Sequence, residues 1–381
     1  MKKHYSVIVV GAGSMGMAAG YYLGKKGIDT LLIDAYDPPH NMASHHGETR
    51  LIRHAPAEGE QYAPLVLRAQ ELWFDLEKAS NRKLFYPTGT LLAGEENAPF
   101  IADTIKVAKK FSLPMERLQP AEIEKRWPQF SIPENYIGYL EPDSGVLLNQ
   151  DIILAYKTLA KSHQVAIQTN CPVTEIIPSN SGITVKTRQN TFYADRIAIC
   201  TGAWTGKILK DIRLPLQTVR KTFGWFETND VSFQPPLLPC FYFNCNQQKY
   251  YGFPDITGSG VKVGRNDSEK DVDPEDMVQD FGKYPNDQKD LVTFAENFLP
   301  HAAPAFRNGK ACMITKAPNK NFILDKHPEH DNIFIAAGFS GHGFKYSSAI
   351  GEIISQQITE KKSELDISAF SITNCLSAAN H

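Results

Sequence analysis

The chain has no long apolar run. Nothing in its 381 residues approaches the roughly 20 consecutive apolar positions that a helix needs to cross a bilayer, which excludes a protein embedded by membrane helices. Met1-Lys2-Lys3 followed by apolar residues imitates a secretion signal, but the apolar segment is only Val7–Val10, so the N-terminus reads as mature and the protein as cytoplasmic. Cysteine is sparse. The six, Cys171, Cys200, Cys240, Cys245, Cys312 and Cys375, lack C-x-x-C spacing, which argues against a metal site and against a secreted disulfide scaffold. Neither sign of charge dominates, 40 basic residues standing against 42 acidic, so no electrostatic footprint points to nucleic acid or an anionic membrane. The expected partner is a small molecule. Internal repeats and low-complexity stretches are missing too, and the length suits two domains or one large domain with an insertion.

What is present is organised around the first thirty-four residues. Tyr5–Val10 reads as a strand that enters Gly11-Ala12-Gly13-Ser14-Met15-Gly16 and leaves as a helix with Met15, Ala18, Ala19, Tyr22 and Leu23 on one face. Gly27 is placed to end the helix, and Thr30–Ile33 is the second strand of a βαβ unit. In this setting Gly11 permits the tight turn, Gly13 lets backbone approach a pyrophosphate, and Gly16 lets helix pack on strand. Asp34 follows the second strand and can accept from a ribose hydroxyl. The pattern predicts a dinucleotide site and leaves FAD and NAD open.

After Asp34 comes a polar cluster, Ser44-His45-His46-Gly47-Glu48-Thr49-Arg50-Leu51-Ile52-Arg53-His54, where loops of a nucleotide fold lie beside the ligand. Its histidines lack the cysteine or carboxylate pattern of a metal site. Helices are predicted over Tyr62–Ala79, Ala98–Lys110, Pro120–Arg126 and Asn149–Ser162, and strands over Leu84–Leu92, Gly138–Leu140, Gly145–Leu148, Val165–Gln168, Val173–Ile177, Ile183–Thr187 and Phe192–Cys200. The last runs into Thr201-Gly202-Ala203-Trp204 and a helix, with Gly202 free to meet a cofactor. Gln217–Glu227, Cys240–Asn244, Lys249–Phe253 and Gly260–Gly264 suggest a second, mainly antiparallel sheet. Helices over Pro274–Phe281 and Asp287–Phe298 precede strands Lys310–Thr315, Phe322–Leu324 and Asn332–Ala337, and a long helix begins at Lys345 with Tyr346, Ile350, Ile353, Ile354 and Ile358 inward. The expected fold is α/β. A Rossmann-like dinucleotide-binding domain, discontinuous over 1–80, 150–215 and 310–381, is joined to a mainly antiparallel α+β substrate domain over 81–149 and 216–309; the resemblance described next makes the first an FAD-binding domain.

Five stretches together carry a resemblance to the monomeric sarcosine oxidase and N-methyltryptophan oxidase family, D-amino-acid-oxidase-like flavoenzymes. They are Gly11–Gly16, Ser44–Arg50 with Arg53-His54, Tyr250-Tyr251-Gly252-Phe253-Pro254, Ala311-Cys312, and Gly338-Phe339-Ser340-Gly341-His342-Gly343-Phe344-Lys345. The resemblance covers nearly the whole chain and implies oxidation of a secondary N-methyl amine. A hydride equivalent passes from the carbon on nitrogen to flavin N5, water hydrolyses the imine to an amino acid and formaldehyde, and O2 is reduced to H2O2. It implies FAD bound covalently through Cys312, a position that strand patterning alone would read as inert packing. It also implies a monomer.

By the same resemblance Arg53 and Lys345 bind the substrate carboxylate, a planar fork and a point charge. Lys262 is matched to the cation at which O2 is activated, where negative charge develops; on patterning alone it is a surface lysine of an alternating strand. Arg50, Tyr251 and His342 match catalytic positions, and Tyr251, Tyr242 and Gly341 match substrate-facing ones. Ser44, His46, Thr49, Arg50, Val173, Gly202 and Gly343 join Gly11, Gly13, Gly16, Asp34 and Cys312 around the cofactor, the last helix aiming its positive end at the flavin N1–C2 edge. Departures bear on substrate choice. Asn266 replaces a histidine of the sarcosine oxidases, Ile314 a tyrosine and Tyr242 a methionine, while Asn170-Cys171-Pro172-Val173 and Val219-Arg220-Lys221 look more like the N-methyltryptophan oxidases. The reading is sarcosine and small N-methyl amino acids first, bulkier secondary amines next. A dehydrogenase with an acceptor other than O2, a non-catalytic flavoprotein and a nicotinamide enzyme remain open.

Overall fold

The computed structural model describes residues 2–179, 182–245, 247–267, 270–302 and 306–379; Met1 of Met1-Lys2-Lys3 lies outside them. The strand His4–Val10 is buried on both faces over most of its length, as its unbroken apolar run requires of a central parallel strand. Thr30–Ile33 pairs with it in parallel on one side and Thr191–Ile199 on the other. Ala166–Gln168 extends the sheet beyond Thr30–Ile33. The antiparallel pair Val173–Ser179 and Gly182–Thr187 extends it beyond the first half of Thr191–Ile199, and Ile333–Ala337 with Ile323–Lys326 beyond the second half.

The helix Ser14–Lys25 covers one face of this sheet and is itself covered by Asn149–Ser162 and Ser347–Glu360, so every residue from Met15 to Gly24 is buried. Its small residues decide how close the layers come. A Cβ on Gly351 would stand 2.5 Å from the Ala18 Cβ, and one on Gly20 would stand 2.7 Å from a Leu32 methyl. The opposite face of the sheet buries Ile8, Val10, Leu31, Ile33, Ile197 and Ile335 in a separate core.

The second sheet has nine strands and is mainly antiparallel, as predicted. Along its main path run Lys270–Asp271, Gln217–Phe226, Val261–Arg265, Gln248–Phe253, Cys240–Cys245, Thr90–Glu95, Tyr136–Glu141 and Glu116–Leu118, with Cys240–Cys245 parallel to Thr90–Glu95. The ninth strand, Phe306–Lys316, pairs with Gln217–Phe226 along its whole length; the boundary drawn at residue 310 falls inside it. A small third sheet, Thr49–Ile52, Gly145–Leu148 and Phe85–Tyr86, takes up part of the polar cluster as its first strand.

Local differences from the sequence reading have local causes. Leu84–Leu92 is two strands, Phe85–Tyr86 and Thr90–Glu95, because Gly89 takes φ +69° between them. Pro274–Phe281 is not helical. Its backbone groups are claimed by side chains: Arg220 donates to the Val278 and Asp280 carbonyls at 2.9 and 3.0 Å, and the Asp273 carboxylate accepts from Glu275 N–H at 2.8 Å. The helix after Gly202 is only Thr205–Ile208, preceded by a 3-10 turn. A C-terminal helix, Ile372–Ala379, was not anticipated; its Ile372 N–H is capped by the Asp325 carboxylate at 2.9 Å.

Candidate active site

A cavity of about 1060 Å³ runs from Gly11 and Gly13 to Lys345, at the upper end of the range for small-molecule sites. Its first end is built by the βαβ unit. Gly11 takes φ +91°, and a Cβ there would stand 2.4 Å from the Cys200 carbonyl oxygen. A Cβ on Gly16 would stand 1.8 Å from the Gly11 carbonyl oxygen, so both glycines are demanded by the fold. Gly13 is different. Its φ is ordinary, and the nearest protein atom to an added Cβ, His45 Nδ1, is 3.8 Å away. Gly13 lines the cavity at the N-terminus of Ser14–Lys25, which has no side-chain cap, so bareness there suits a phosphate and nothing in the protein. Asp34 accepts from Ala12 N–H at 2.7 Å with one oxygen and from Tyr36 N–H at 2.9 Å with the other, which fixes a buried carboxylate at the cavity wall. Gly202, at φ +53° with nothing within 4 Å of an added Cβ, and Val173 line the same end.

The middle of the cavity joins the two sheets. Arg50 donates to the carbonyls of Thr49 and Ser44, each at 2.8 Å, and to that of His46, so its guanidinium ties the polar cluster into one rigid loop. Lys262, 2% exposed, donates to the same Thr49 carbonyl at 3.1 Å and lies 4.5 Å from the centre of the Phe223 ring and 5.0 Å from that of Phe253. Lys262 stands one layer behind the wall, since Phe223, Phe253 and Arg50 line the cavity and it does not. Burial, with the Arg50 charge added, holds its ammonium well below an ordinary lysine. His46 is also behind the wall, and burial with Lys310 and Arg50 lowers it to about 4, so it is neutral near pH 7. Cys312 faces the cavity directly across the strand pair from Lys221. Burial pushes its thiol up, while Arg50, Lys262, Lys221 and Arg220 pull it back.

At the far end the two expected carboxylate-binding cations do converge. Arg53 is 3% exposed and Lys345 6%. Among the described residues Arg53 Nη1 is buried without a hydrogen-bond partner, and Thr315 Oγ1, also on the cavity wall, is in the same state. Burial brings the Lys345 ammonium down to about 8, opposed by Glu58 and reinforced by Arg53. Desolvation against the cavity wall opposes ionisation of Glu58, whose side chain is 29% exposed, but Lys345, His342 and Arg53 together hold its carboxyl far below the usual range. Tyr242, whose hydroxyl accepts from Asn266 Nδ2 at 3.0 Å, and its cross-strand partner Tyr251 form one wall; burial pushes Tyr242 up to about 12 and Tyr251 higher. Gly341 takes φ +83°, a left-handed conformation that favours glycine, and a Cβ there would press on Ile314 Cδ1 at 2.8 Å. Gly343 is required by packing, an added Cβ falling 2.5 Å from that of Phe339.

Nearly all the expected site residues therefore border one cavity. Lys262, Thr49, His46 and Gly16 support it from behind, and Ser44 contributes its carbonyl to Arg50. The His342 ring lies on the wall but is stacked on Phe322, centres 4.7 Å apart, with its Nε2 3.4 Å from the Lys320 carbonyl. Burial lowers it to about 4, a neutral wall residue near pH 7. Sequence reasoning missed Glu58, Thr315, Lys221 and Phe100. Lys221 left a signal, a lysine on the same strand face as Val219, Phe223 and Trp225; Phe100 left none that separates it from ordinary core.

The cradle at Gly13, the fixed Asp34 and the unpartnered groups at Arg53 and Thr315 fit a flavin dinucleotide with a small acid beyond it. Comparison agrees in kind. The profile of the FAD dependent oxidoreductase family (DAO) matches residues 6–357. A monomeric sarcosine oxidase of Bacillus sp. (strain B-0618) is 45% identical over 376 residues, 98% of this chain and 96% of the relative. An N-methyl-L-tryptophan oxidase of Yersinia pestis (strain Pestoides F) is 38% identical over 372 residues, 97% of this chain and 98% of the relative. Among solved structures, NikD, an amino acid oxidase of nikkomycin biosynthesis, superposes with a TM-score of 0.86 at 22% identity, covering 97% of this chain and 98% of its own. L-Proline dehydrogenase from P. horikoshii gives 0.87 at 19%, covering 99% of each; at these identities both speak for the fold alone. The chain belongs to the FAD dependent oxidoreductase family, in the group that holds the monomeric sarcosine oxidases and N-methyl-L-tryptophan oxidases.

Proposed function

We propose that the protein oxidises N-methyl amino acids, most simply sarcosine, which with O2 and water gives glycine, formaldehyde and H2O2. The observation that carries this reading is the pair Arg53 and Lys345, two buried cations at the end of a dinucleotide cavity, one with an unpartnered N–H group. Glu58 sets one negative charge against the two, so the pair is costly unless a second anion completes it. FAD, when bound, supplies the acceptor for the hydride equivalent and hands the electrons to O2. The chain's own residues do the rest. Arg53 and Lys345 hold the carboxylate, Tyr242 and Tyr251 bound the side-chain space, and Arg50 keeps the polar loop rigid. In its protonated form Lys262 supplies positive potential through the thin wall of Phe223 and Phe253, which suits developing negative charge on O2 and favours an oxidase over a dehydrogenase. His342 contributes a neutral wall, and Gly341 the room beside Ile314.

In this reading Cys312 carries the cofactor covalently, its thiol placed on the cavity wall among four cations. Flavin stays with acid-precipitated wild-type protein and is released from Cys312→Ser; release from the wild type would sink the covalent assignment. The half around 1–80, 150–215 and 310–381 serves the cofactor, that around 81–149 and 216–309 the substrate, and the enzyme works as a cytoplasmic monomer. A second reading, oxidation of bulkier secondary amines, is favoured by Ile314, an aliphatic side chain on the pocket wall that offers an indole or ring substrate an apolar surface. The test is anaerobic mixing with sarcosine. The flavin should bleach and formaldehyde appear, and Arg53→Met should need far more substrate for the same bleaching; no bleaching of the wild type by sarcosine would remove the first reading.

A further inference from the structure

Arg53 is a buried cation with a poor ion pair. Its guanidinium faces Glu58 at 4.0 Å, too far for a hydrogen bond, and Nη1 has no partner among the described residues. Something else must hold the fork in place. The guanidinium carbon lies 5.0 Å from the centre of the Phe100 ring and 5.3 Å from that of Tyr242, within reach of cation–π attraction. The two rings are stacked, centres 4.5 Å apart and planes inclined by 22°. Both are fixed from behind. Phe100 opens the helix Pro99–Lys110 and is buried with Leu92, Ile101 and Ile137. Tyr242 is held at its hydroxyl by Asn266, whose own N–H donates to the Lys249 carbonyl at 2.7 Å and whose carbonyl accepts from Lys221. Tyr242 lines the cavity, and Phe100 backs it from outside the cavity wall.

We propose that Phe100 and Tyr242 form an aromatic clamp that orients Arg53 toward a ligand carboxylate and, by filling that side of the cavity, sets the upper size of the substrate side chain. Phe100 is a positioning residue, acting through Arg53 and Tyr242; Tyr242 is the surface the substrate meets. The clamp rests on the reading of the site as that of an amino acid oxidase, and the experiment separates the two. Acetate carries the carboxylate and no oxidisable amine, so its affinity for the flavin-loaded enzyme, read from the change in flavin absorbance, reports on Arg53 whether or not amines are turned over.

Phe100→Leu and Phe100→Ala should weaken acetate binding by about three- to tenfold, the alanine more, with flavin content unchanged. Tyr242→Phe, which keeps the ring, should retain more of the affinity than Tyr242→Ala. In Tyr242→Ala the ratio of kcat/KM for N-methyl-L-tryptophan to that for sarcosine should rise by about tenfold or more, with KM for sarcosine rising more than kcat falls. Wild-type acetate affinity in both Phe100 variants would overturn the positioning role, and an unchanged substrate ratio in Tyr242→Ala would overturn the size limit. Failure of the wild type to oxidise either amine would count against the functional reading, and the acetate series would still decide the clamp.

Discussion

At the scale of single residues, the site works by placing charges where water cannot screen them. In the proposed mechanism Lys262 acts on the reaction only as potential, so its loss should spare the reductive half. In Lys262→Met, stopped-flow reduction by substrate should be nearly intact, while reoxidation by O2 slows by about 100-fold; unchanged reoxidation would remove the role. Lys345 gives a pH signature. A carboxylate meets a charged Lys345 below about pH 8 and a neutral one above it. Acetate affinity should therefore be flat from about pH 6 to about pH 7, where acetate is fully ionised, and fall by up to tenfold per unit above about pH 8. His46 and His342, both lowered to about 4, add no bend in that range. Lys345→Met should bind acetate weakly at all pH values, and a flat wild-type profile would contradict the assignment.

At the scale of elements, glycines of one motif have separable duties. Gly16→Ala forces a Cβ against the Gly11 carbonyl and should cost about 3 kcal/mol of folding stability or more. Gly13→Ala meets open cavity. In a Cys312→Ser background, from which flavin can be removed, its thermal midpoint without flavin should match the parent while FAD affinity falls tenfold or more, about 1.4 kcal/mol; equal loss of stability in both variants would refute the distinction. The segment following Lys270–Asp271 depends on a buried pair, Arg220 to Asp287 at 2.6 and 2.9 Å. Asp287→Ala should cost about 3–5 kcal/mol in urea unfolding, because Arg220 is left charged and buried; a loss under about 1 kcal/mol would show the pair to be dispensable. The same pair explains why sequence failed there. Pro274–Phe281 has helical periodicity, and nothing local reveals that Arg220, more than fifty residues earlier, takes its carbonyls.

At the scale of the whole molecule, the dinucleotide half was legible because its signals are local. Val7–Val10, the glycine turn, Gly27 and Asp34 sit within one βαβ unit and fold as read. The substrate end was legible only through the family motifs at Arg53 and Gly338–Lys345, since its walls come from strands far apart in sequence. Phe100 and Glu58 escaped because burial and counter-charge are properties of the assembled pocket, and Lys262, a surface residue by alternation, is buried because the Thr49–Ile52 segment closes over it. Together these parts are proposed to make an oxidase of secondary amino acids. The most direct test is peroxide production by the purified yellow protein with sarcosine, N-methyl-L-alanine, L-proline, L-pipecolate and N-methyl-L-tryptophan. Peroxide should form with sarcosine and N-methyl-L-alanine, in step with O2 consumed. Flavin bleaching without peroxide on any of the five would contradict the proposal and point to a dehydrogenase.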